Sequence, residues 1–167
     1  MAAFDPDMTD NRQVVTVTET VWVERDPTAV FDYTQDYSRR TEWDRGIKHA
    51  EILGTDPRTI RVRMAGLGDA TVVYRLDRRP DRTSAAFIDV ASRWVSGGGG
   101  SWQYEDADGG TRWQQTNSLE LRAGWLPRLA APLIRSSLRR SMRAAMAEAK
   151  RRLEADATAS TDDVTTT

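Results

Sequence analysis

The stretch that decides the fold is residues 126–153, LPRLAAPLIRSSLRRSMRAAMAEAKRRL. Its apolar side chains recur every three or four residues and form one stripe: Leu126, Ala130, Ile134, Leu138, Met142, Ala145, Ala149 and Leu153. Steps of three and four residues bring side chains to the same face of a helix, so this spacing predicts a long amphipathic helix that packs on a core. Pro132 is expected to kink its first turns or to reset its start.

Upstream of this helix, the chain from Gly46 to Arg122 predicts six strands separated by residues that favour turns. The expected turns are at Asp56-Pro57, Gly66–Asp69, Arg79–Asp81, the glycine run Gly97–Gly100, and Asp108–Gly110. Short connections favour antiparallel hairpins, because parallel strands need long crossovers. The glycine run either gives this part of the chain the flexibility of a gate or avoids a steric conflict at a strand bend.

The N-terminal part of the chain predicts a strand followed by two short helices. Valines at 15, 17, 21 and 23 alternate with polar residues, which is typical of a half-buried strand. Asp26-Pro27 is a helix start, with Asp as the cap and Pro in the first turn. Ser38 is expected to cap a second short helix that carries Trp43.

Composition and the two ends of the chain define the domain. The sequence predicts one domain over residues 13–155, with disordered polar tails at 1–12 and 156–167. A net charge of −1, from 24 basic and 25 acidic residues, does not favour a nucleic-acid partner. The N-terminus has no secretory signal and no segment is long and apolar enough for a membrane span, so a cytoplasmic location is expected.

Metal and cofactor chemistry find little support in the sequence. Cysteine is absent, and His49 is the only histidine. A lone imidazole has no second histidine or thiolate with which to complete a metal site or a nucleophilic triad. We therefore expect neither a metal nor an organic cofactor.

The order of these elements, together with their short sequence motifs, resembles the START-like (SRPBCC, helix-grip) superfamily of polyketide cyclase/dehydrase-type and lipid-transfer-type small proteins. The resemblance covers roughly residues 14–154 and is carried by Val21–Val23, Asp26–Tyr33, Thr41–Trp43, Arg79-Pro80, Trp102–Glu105, Gly110–Arg112 and the closing helix. It implies an α+β fold in which a curved seven-stranded antiparallel sheet surrounds a long C-terminal helix, with two short helices after the first strand. It does not fix a substrate, since one fold hosts many functions.

Glu19 is the most unusual position of the first strand, because it shares a face with inward-pointing valines. In the resembled fold the first and last strands are neighbours, so Gln115 and Asn117 are expected beside it. This polar group can orient a ligand, with Glu19 as a proton shuttle if the protein is an enzyme. The preferred interpretation is plainer: Glu19 is solvated or paired with an arginine.

The fourth strand can be placed in two phases, which differ in which of its side chains point into the cavity. In the first, Tyr74 points inward and can orient a ligand with its hydroxyl, and Arg75 lies outside. A bulge at the Gly66–Gly68 turn would reverse the phase and bring Arg75 into the cavity, where it suits polyketide cyclisation. Tyr74 and Arg75 are therefore candidate catalytic residues beside Glu19.

The remaining candidates line the expected cavity and contact the ligand: Trp43, Val62, Met64, Phe87, Trp102, Trp113, Gln115 and Asn117. Apolar and aromatic walls with a few polar groups are typical of small-molecule sites. We expect the protein to bind a hydrophobic or aromatic small molecule, such as a lipid, an isoprenoid or a polyketide-like compound, between the sheet and the C-terminal helix.

Two other functions stay open. One is a cofactor-independent polyketide cyclase or dehydratase that uses the same cavity, and the other is a partner-binding stress-response module. The basic outer face of the last helix can also contact anionic lipid during ligand transfer, although a core-packed helix with a solvated outer face is the preferred interpretation. The sequence does not indicate an oligomeric state.

Overall fold

The computed structural model describes residues 13–65, 70–79 and 81–162. Its elements follow one another as β1 Gln13–Val23, α1 Pro27–Gln35, α2 Arg40–Trp43, β2 Ile47–Thr55, β3 Arg58–Met64, β4 Ala70–Arg79, β5 Arg82–Ala91, β6 Val95–Ala107, β7 Gly110–Leu121 and α3 Trp125–Asp162. The seven strands form one antiparallel sheet in the order β1-β7-β6-β5-β4-β3-β2. This arrangement confirms the predicted α+β, helix-grip fold.

The sheet brings the first and last strands together, as expected. β1 pairs with β7 along its whole length, and Glu19 lies opposite Gln115 while Val17 lies opposite Asn117. Val15, Val17 and Val23 are buried, which follows from the period-two alternation of β1. One face of this strand therefore belongs to the core.

Of the two helix caps predicted from the sequence, the structure shows one. The amide of Ala29 donates to the Asp26 carboxylate at 2.9 Å, so Asp26 caps α1 as predicted. The predicted Ser38 cap of α2 is wrong: the cap position is Arg39, and Ser38 donates its hydroxyl proton to Asp36 instead. The Ser38 amide also donates to the Asp36 carboxylate, at 3.0 Å, so Ser38 and Asp36 form a local turn.

The predicted turn at Gly97–Gly100 is also wrong. These glycines lie inside β6, and the connection between β5 and β6 falls at 92–94. A Cβ on Gly99 would lie 2.3 Å from the carbonyl oxygen of Ala85, and one on Gly98 would lie 2.3 Å from that of Ser118. The run therefore allows close approach of neighbouring backbones, which is the steric alternative that the sequence left open.

The last helix is longer than expected. α3 starts at Trp125 and continues through Asp162, so it extends into the segment predicted as a tail from 156. Alanine at 155, 157 and 159 favours helix, which explains the continuation. Pro132 lies within α3 and does not reset its start. The predicted N-terminal tail and the Gly66–Asp69 turn lie outside the described residues.

The interior has two apolar parts. The larger cluster packs side chains of α1, α2, β3 and β4 against the second half of α3, through Ala145, Met146, Ala149 and Leu153. The smaller one joins Val15 and Val95 to Ala131 and Ile134 in the first half of α3. Phe87 and Val90 of β5 pack against both clusters and lie where the two meet.

Candidate functional site

A buried arginine lies at the centre of the larger cluster. Arg40 begins α2, and the helix directs both Arg40 and Trp43, three residues apart, toward the sheet. Only 2% of the Arg40 surface is exposed. Its guanidinium carbon lies 4.1 Å from the ring centre of Trp43, 5.4 Å from that of Tyr37 and 5.8 Å from that of Trp102. Aromatic faces carry negative charge density and stabilise such a cation.

Two further contacts hold Arg40 in place. Its Nη2 lies 3.1 Å from the Asp44 carboxylate, and its Nη1 donates to the carbonyl oxygen of Thr34 at 3.0 Å. Burial by itself lowers the pKa of Arg40, but Asp44 and the nearby tyrosines outweigh this effect and raise it. The interior therefore contains a permanent positive charge.

Tyrosine hydroxyls surround this cation. Tyr104 lies 2.7 Å from the Thr34 hydroxyl and accepts a hydrogen bond from Gln35 Nε2 at 2.8 Å. Burial raises the pKa of Tyr104 to about 12, despite these two hydrogen bonds, and raises the pKa of Tyr74 well above its usual value. Both groups keep their protons at neutral pH.

Several buried polar atoms in this region have no hydrogen-bond partner among the described residues. They are Gln35 Oε1, Trp43 Nε1, Thr83 Oγ1, Trp102 Nε1 and Trp113 Nε1. Each such atom costs about 1 to 3 kcal/mol of desolvation free energy when nothing satisfies it. Buried polar groups in native proteins are nearly always hydrogen-bonded, so this concentration distinguishes the region as the candidate site.

The structure brings most of the predicted ligand-binding residues together on the inner face. Trp43, Val62, Trp102 and Trp113 are all buried in the larger cluster. Trp43 meets Trp113 edge-to-face at 5.9 Å between ring centres, and Trp113 stacks on Tyr104 at 6.3 Å.

The other four predicted ligand-binding residues are close by. Met64 and Phe87 are partly buried and pack on the same cluster. Gln115 is buried and donates its Nε2 to Asn117 Oδ1 at 3.3 Å. The aromatic, aliphatic and amide residues proposed from the sequence are thus near one another.

Glu19 points inward, with its side chain 12% exposed, but its carboxylate is bound. Arg139 Nε lies 3.0 Å from Oε1 and Arg143 Nε lies 2.7 Å from Oε2. This is the arginine pairing that the sequence favoured over a proton shuttle. Both oxygens are engaged, so Glu19 links β1 to α3.

The fourth strand adopts the first of its two phases. Tyr74 is buried and stacks on Phe87 at 5.5 Å, whereas Arg75 is exposed and does not enter the interior. The register shift in this part of the sheet lies between the pairs Val73–Asp89 and Tyr74–Phe87, so the extra residue is Ile88 of β5. This bulge leaves the inward phase of β4 intact.

Arg75 instead lines an open groove beside the β2–β3 hairpin. The groove has a cavity volume of about 980 Å³ and is bounded by Ile52, Thr55–Arg58, Arg75–Asp77 and Ser84–Ala86. It shares only Leu76 and Ala85 with the larger cluster. We place the candidate site in the interior, because the buried cation and the unsatisfied polar atoms lie there.

Sequence reasoning missed Arg40, Gln35, Tyr37 and Tyr104. A signal for Arg40 exists: it is three residues before Trp43, and a charged residue on the same helix face as a core tryptophan is unusual. No comparable pattern indicates Gln35, which ends α1 and becomes buried only when β6 places Tyr104 against it.

Comparisons with known proteins agree with this architecture. A family model described as polyketide cyclase / dehydrase and lipid transport matches residues 14–154. The resemblance to the START-like superfamily is thereby confirmed, and it supports binding of a hydrophobic ligand or cyclase activity. The comparison with curated protein sequences finds no match. No described helix combines the length and apolarity needed to cross a membrane.

Solved structures share the fold at low identity. The protein TTHA0849 from Thermus thermophilus is 14% identical, with a TM-score of 0.75 over 84% of this chain and 98% of that one. The ZhuI aromatase/cyclase from Streptomyces sp. R1128 is 19% identical, with a TM-score of 0.74 over 85% and 94%. A START superfamily protein from Mycobacterium smegmatis is 15% identical, with a TM-score of 0.68 over 83% and 97%. At these identities the likeness shows the fold alone.

Proposed function

The chain belongs to the polyketide cyclase/dehydrase and lipid transport family, and from this premise we propose that it binds a hydrophobic or aromatic small molecule between the sheet and its helices. The observation that carries the proposal is the group of buried, unpartnered polar atoms around Arg40. Apolar walls supply affinity for such a ligand, and these polar atoms orient it.

The polar atoms narrow the ligand class. The indole nitrogens of Trp43, Trp102 and Trp113 only donate hydrogen bonds, so they need acceptor oxygens on the ligand. Gln35 Oε1 only accepts and needs a hydroxyl. A flat molecule that carries both carbonyl and hydroxyl groups, such as a phenolic polyketide, meets these needs better than a hydrocarbon chain does.

The inner face also provides a route to the site. Met64, Phe87 and Val90 are inward-facing but only partly buried, and they pack along one side of the larger cluster. An apolar ligand can contact these three side chains before it reaches the tryptophans. We propose this partly open edge as the entrance.

A fluorescence titration tests the proposal. Three probes are compared: hydroxynaphthoquinone as a flat phenolic molecule, farnesol as an isoprenoid and palmitic acid as a lipid. We expect hydroxynaphthoquinone to quench tryptophan fluorescence saturably and with the tightest apparent Kd. Trp102→Phe, which keeps an aromatic ring and removes the N–H donor, should weaken binding about fivefold or more.

Trp22→Phe is the matched control, because Trp22 lies on the outer face of β1 and donates its Nε1 to Ala107 O. It should leave the apparent Kd unchanged. Native mass spectrometry of the protein purified from its own host then identifies any retained compound. A protein that carries nothing and is quenched by none of the three probes would refute the binding proposal.

A cyclase function is the second candidate, and Tyr74 favours it. Its hydroxyl is buried, keeps its proton and lies within the electrostatic influence of Arg40. Such a group can donate a hydrogen bond to a carbonyl oxygen of the substrate, and the guanidinium can stabilise negative charge that develops on that oxygen. An aromatase/cyclase with the same fold lends further support.

Tyr74→Phe separates the two candidates. An enzyme loses turnover with this change and still binds the product, whereas a carrier keeps the same apparent Kd and has no turnover to lose. Glu19→Gln tests the alternative that Glu19 moves the proton. We expect a smaller loss of turnover there, because both Glu19 oxygens already bind arginines.

A further inference from the structure

The first turns of α3 expose two large apolar side chains. Leu129 is 71% exposed and Leu133 is 75% exposed, the highest values among the large exposed hydrophobic residues described. They are four residues apart, so they lie next to each other on one helix face. The opposite face is buried, because Ala131 and Ile134 pack in the smaller core cluster. We call Leu129 and Leu133 the leucine patch.

Positive charge accompanies the leucine patch. Arg140 is eleven residues after Leu129 in the sequence, a spacing that places it on the same helix face. Arg122 lies three residues before Trp125, the first residue of α3, and donates its Nε proton to Ser92 O at 2.9 Å. Both Arg122 and Arg140 are exposed, and among the described residues neither of them forms an ion pair.

We propose that the leucine patch, Arg122 and Arg140 form a docking surface for an anionic lipid bilayer. The leucines insert among the acyl chains at the boundary with the headgroups, and the arginines contact lipid phosphates. The charge favours a lipid surface over a second copy of this chain, since two copies that met through this surface would bring their positively charged arginines close together.

The proposed docking surface and the proposed entrance lie on the same half of the molecule. The first half of α3 covers the smaller cluster, to which Phe87 and Val90 of the proposed entrance also belong. A bilayer bound to the outer face of this half-helix therefore lies on the same half of the molecule as the entrance. Docking of the protein on a bilayer is therefore compatible with uptake of an apolar ligand from the membrane through the proposed entrance.

Vesicle co-sedimentation of the full chain tests the proposal. Wild-type protein is mixed with vesicles of phosphatidylcholine alone or of phosphatidylcholine and phosphatidylglycerol in equal parts. We expect sedimentation with the mixed vesicles that decreases as salt is added, and little with phosphatidylcholine alone. Leu129→Ser with Leu133→Ser should weaken partitioning about tenfold or more. Arg122→Gln with Arg140→Gln should weaken it about fivefold or more.

Ile52→Ser with Leu53→Ser is the matched control. These side chains are 47% and 41% exposed on the β2–β3 hairpin, outside the proposed docking surface. Their replacement therefore lowers the hydrophobicity of the protein surface and leaves the docking surface unchanged. The control should bind vesicles like wild type. Thermal unfolding of each variant checks that the fold is intact.

Three results would overturn the proposal. The first is a wild-type protein that sediments with neither vesicle. The second is equal sedimentation of the wild-type and leucine variants. The third is self-association in sedimentation velocity that disappears in the leucine variant without any vesicle binding, which would assign the leucine patch to a second copy of the chain.

Discussion

The guanidinium carbon of Arg40 lies 4.1 Å from the ring centre of Trp43, within one turn of α2. The same guanidinium is paired with Asp44, so a cation, an aromatic face and a carboxylate from five consecutive residues meet in the interior. Desolvating a charge is costly, and such a group is retained only when its partners compensate for the lost water. The arrangement leads to the first prediction.

Arg40→Met should lower the free energy of unfolding by about 3 kcal/mol, because it leaves Asp44 largely buried without its counterion. The double variant Arg40→Met with Asp44→Asn should recover part of this loss, since no unpaired charge remains. Urea unfolding measures both. A loss below about 0.5 kcal/mol in the single variant would mean that the pair is solvated and that Arg40 is not buried in solution.

Gly99→Ala should destabilise the protein by about 2 kcal/mol or more, because the new methyl group would lie 2.3 Å from Ala85 O in the neighbouring strand. Gly54→Ala is the control. Its Cβ would meet nothing closer than Pro57 O at 3.7 Å, so we expect a change of less than about 1 kcal/mol. Thermal unfolding compares the two variants, and equal effects would argue against the close strand approach at Gly99.

Glu19→Gln should weaken the attachment of α3 to β1, since one carboxylate binds both Arg139 and Arg143. We expect a loss of about 1 to 2 kcal/mol, and faster amide exchange in the first half of α3. Glu51→Gln, which removes an ion pair whose two side chains are both 48% exposed, should cost less than about 0.5 kcal/mol. If the two variants lose equal stability, Glu19 is no more than a surface residue.

Alkaline pH should destabilise the fold through its buried tyrosines. The pKa of Tyr104 is raised from 10.0 to about 12, so the unfolded chain releases this proton first. Stability from this group is complete below pH 10 and is lost as pH rises toward about 12, by about 2 to 3 kcal/mol in total. Tyr74, whose pKa is also raised by burial, adds to the decline.

Urea unfolding at a series of pH values measures this decline. Tyr104→Phe should make it shallower, while lowering stability at neutral pH because the hydrogen bonds with Thr34 and Gln35 are lost. An unchanged slope in this variant would mean that the Tyr104 hydroxyl is accessible to water in the folded protein.

Local chemistry was sufficient for much of the fold. The valine alternation of β1, the Asp26 cap of α1 and the apolar stripe of α3 each arise from neighbours along the chain, so the sequence predicted these elements and their order. The same periodicity showed that Glu19, Gln115 and Asn117 face inward. Trp43, Phe87, Trp102 and Trp113 were also predicted on the inner face, and their roles in binding stay predictions.

Tertiary structure alone decided which side chains of the sheet meet which side chains of the helices. Periodicity assigns a face to a residue but not a partner, and the partners here are far apart in sequence: Glu19 binds Arg139 and Arg143, and Tyr104 binds Thr34 and Gln35. The glycine run looked like a turn because local preference ignores the strands on either side, whose carbonyl groups exclude a Cβ. Arg40 lies at the centre of the candidate site for the same reason. Two tryptophans, Asp44 and the Thr34 carbonyl compensate for the lost hydration of its guanidinium, and they surround it only when the whole chain is folded.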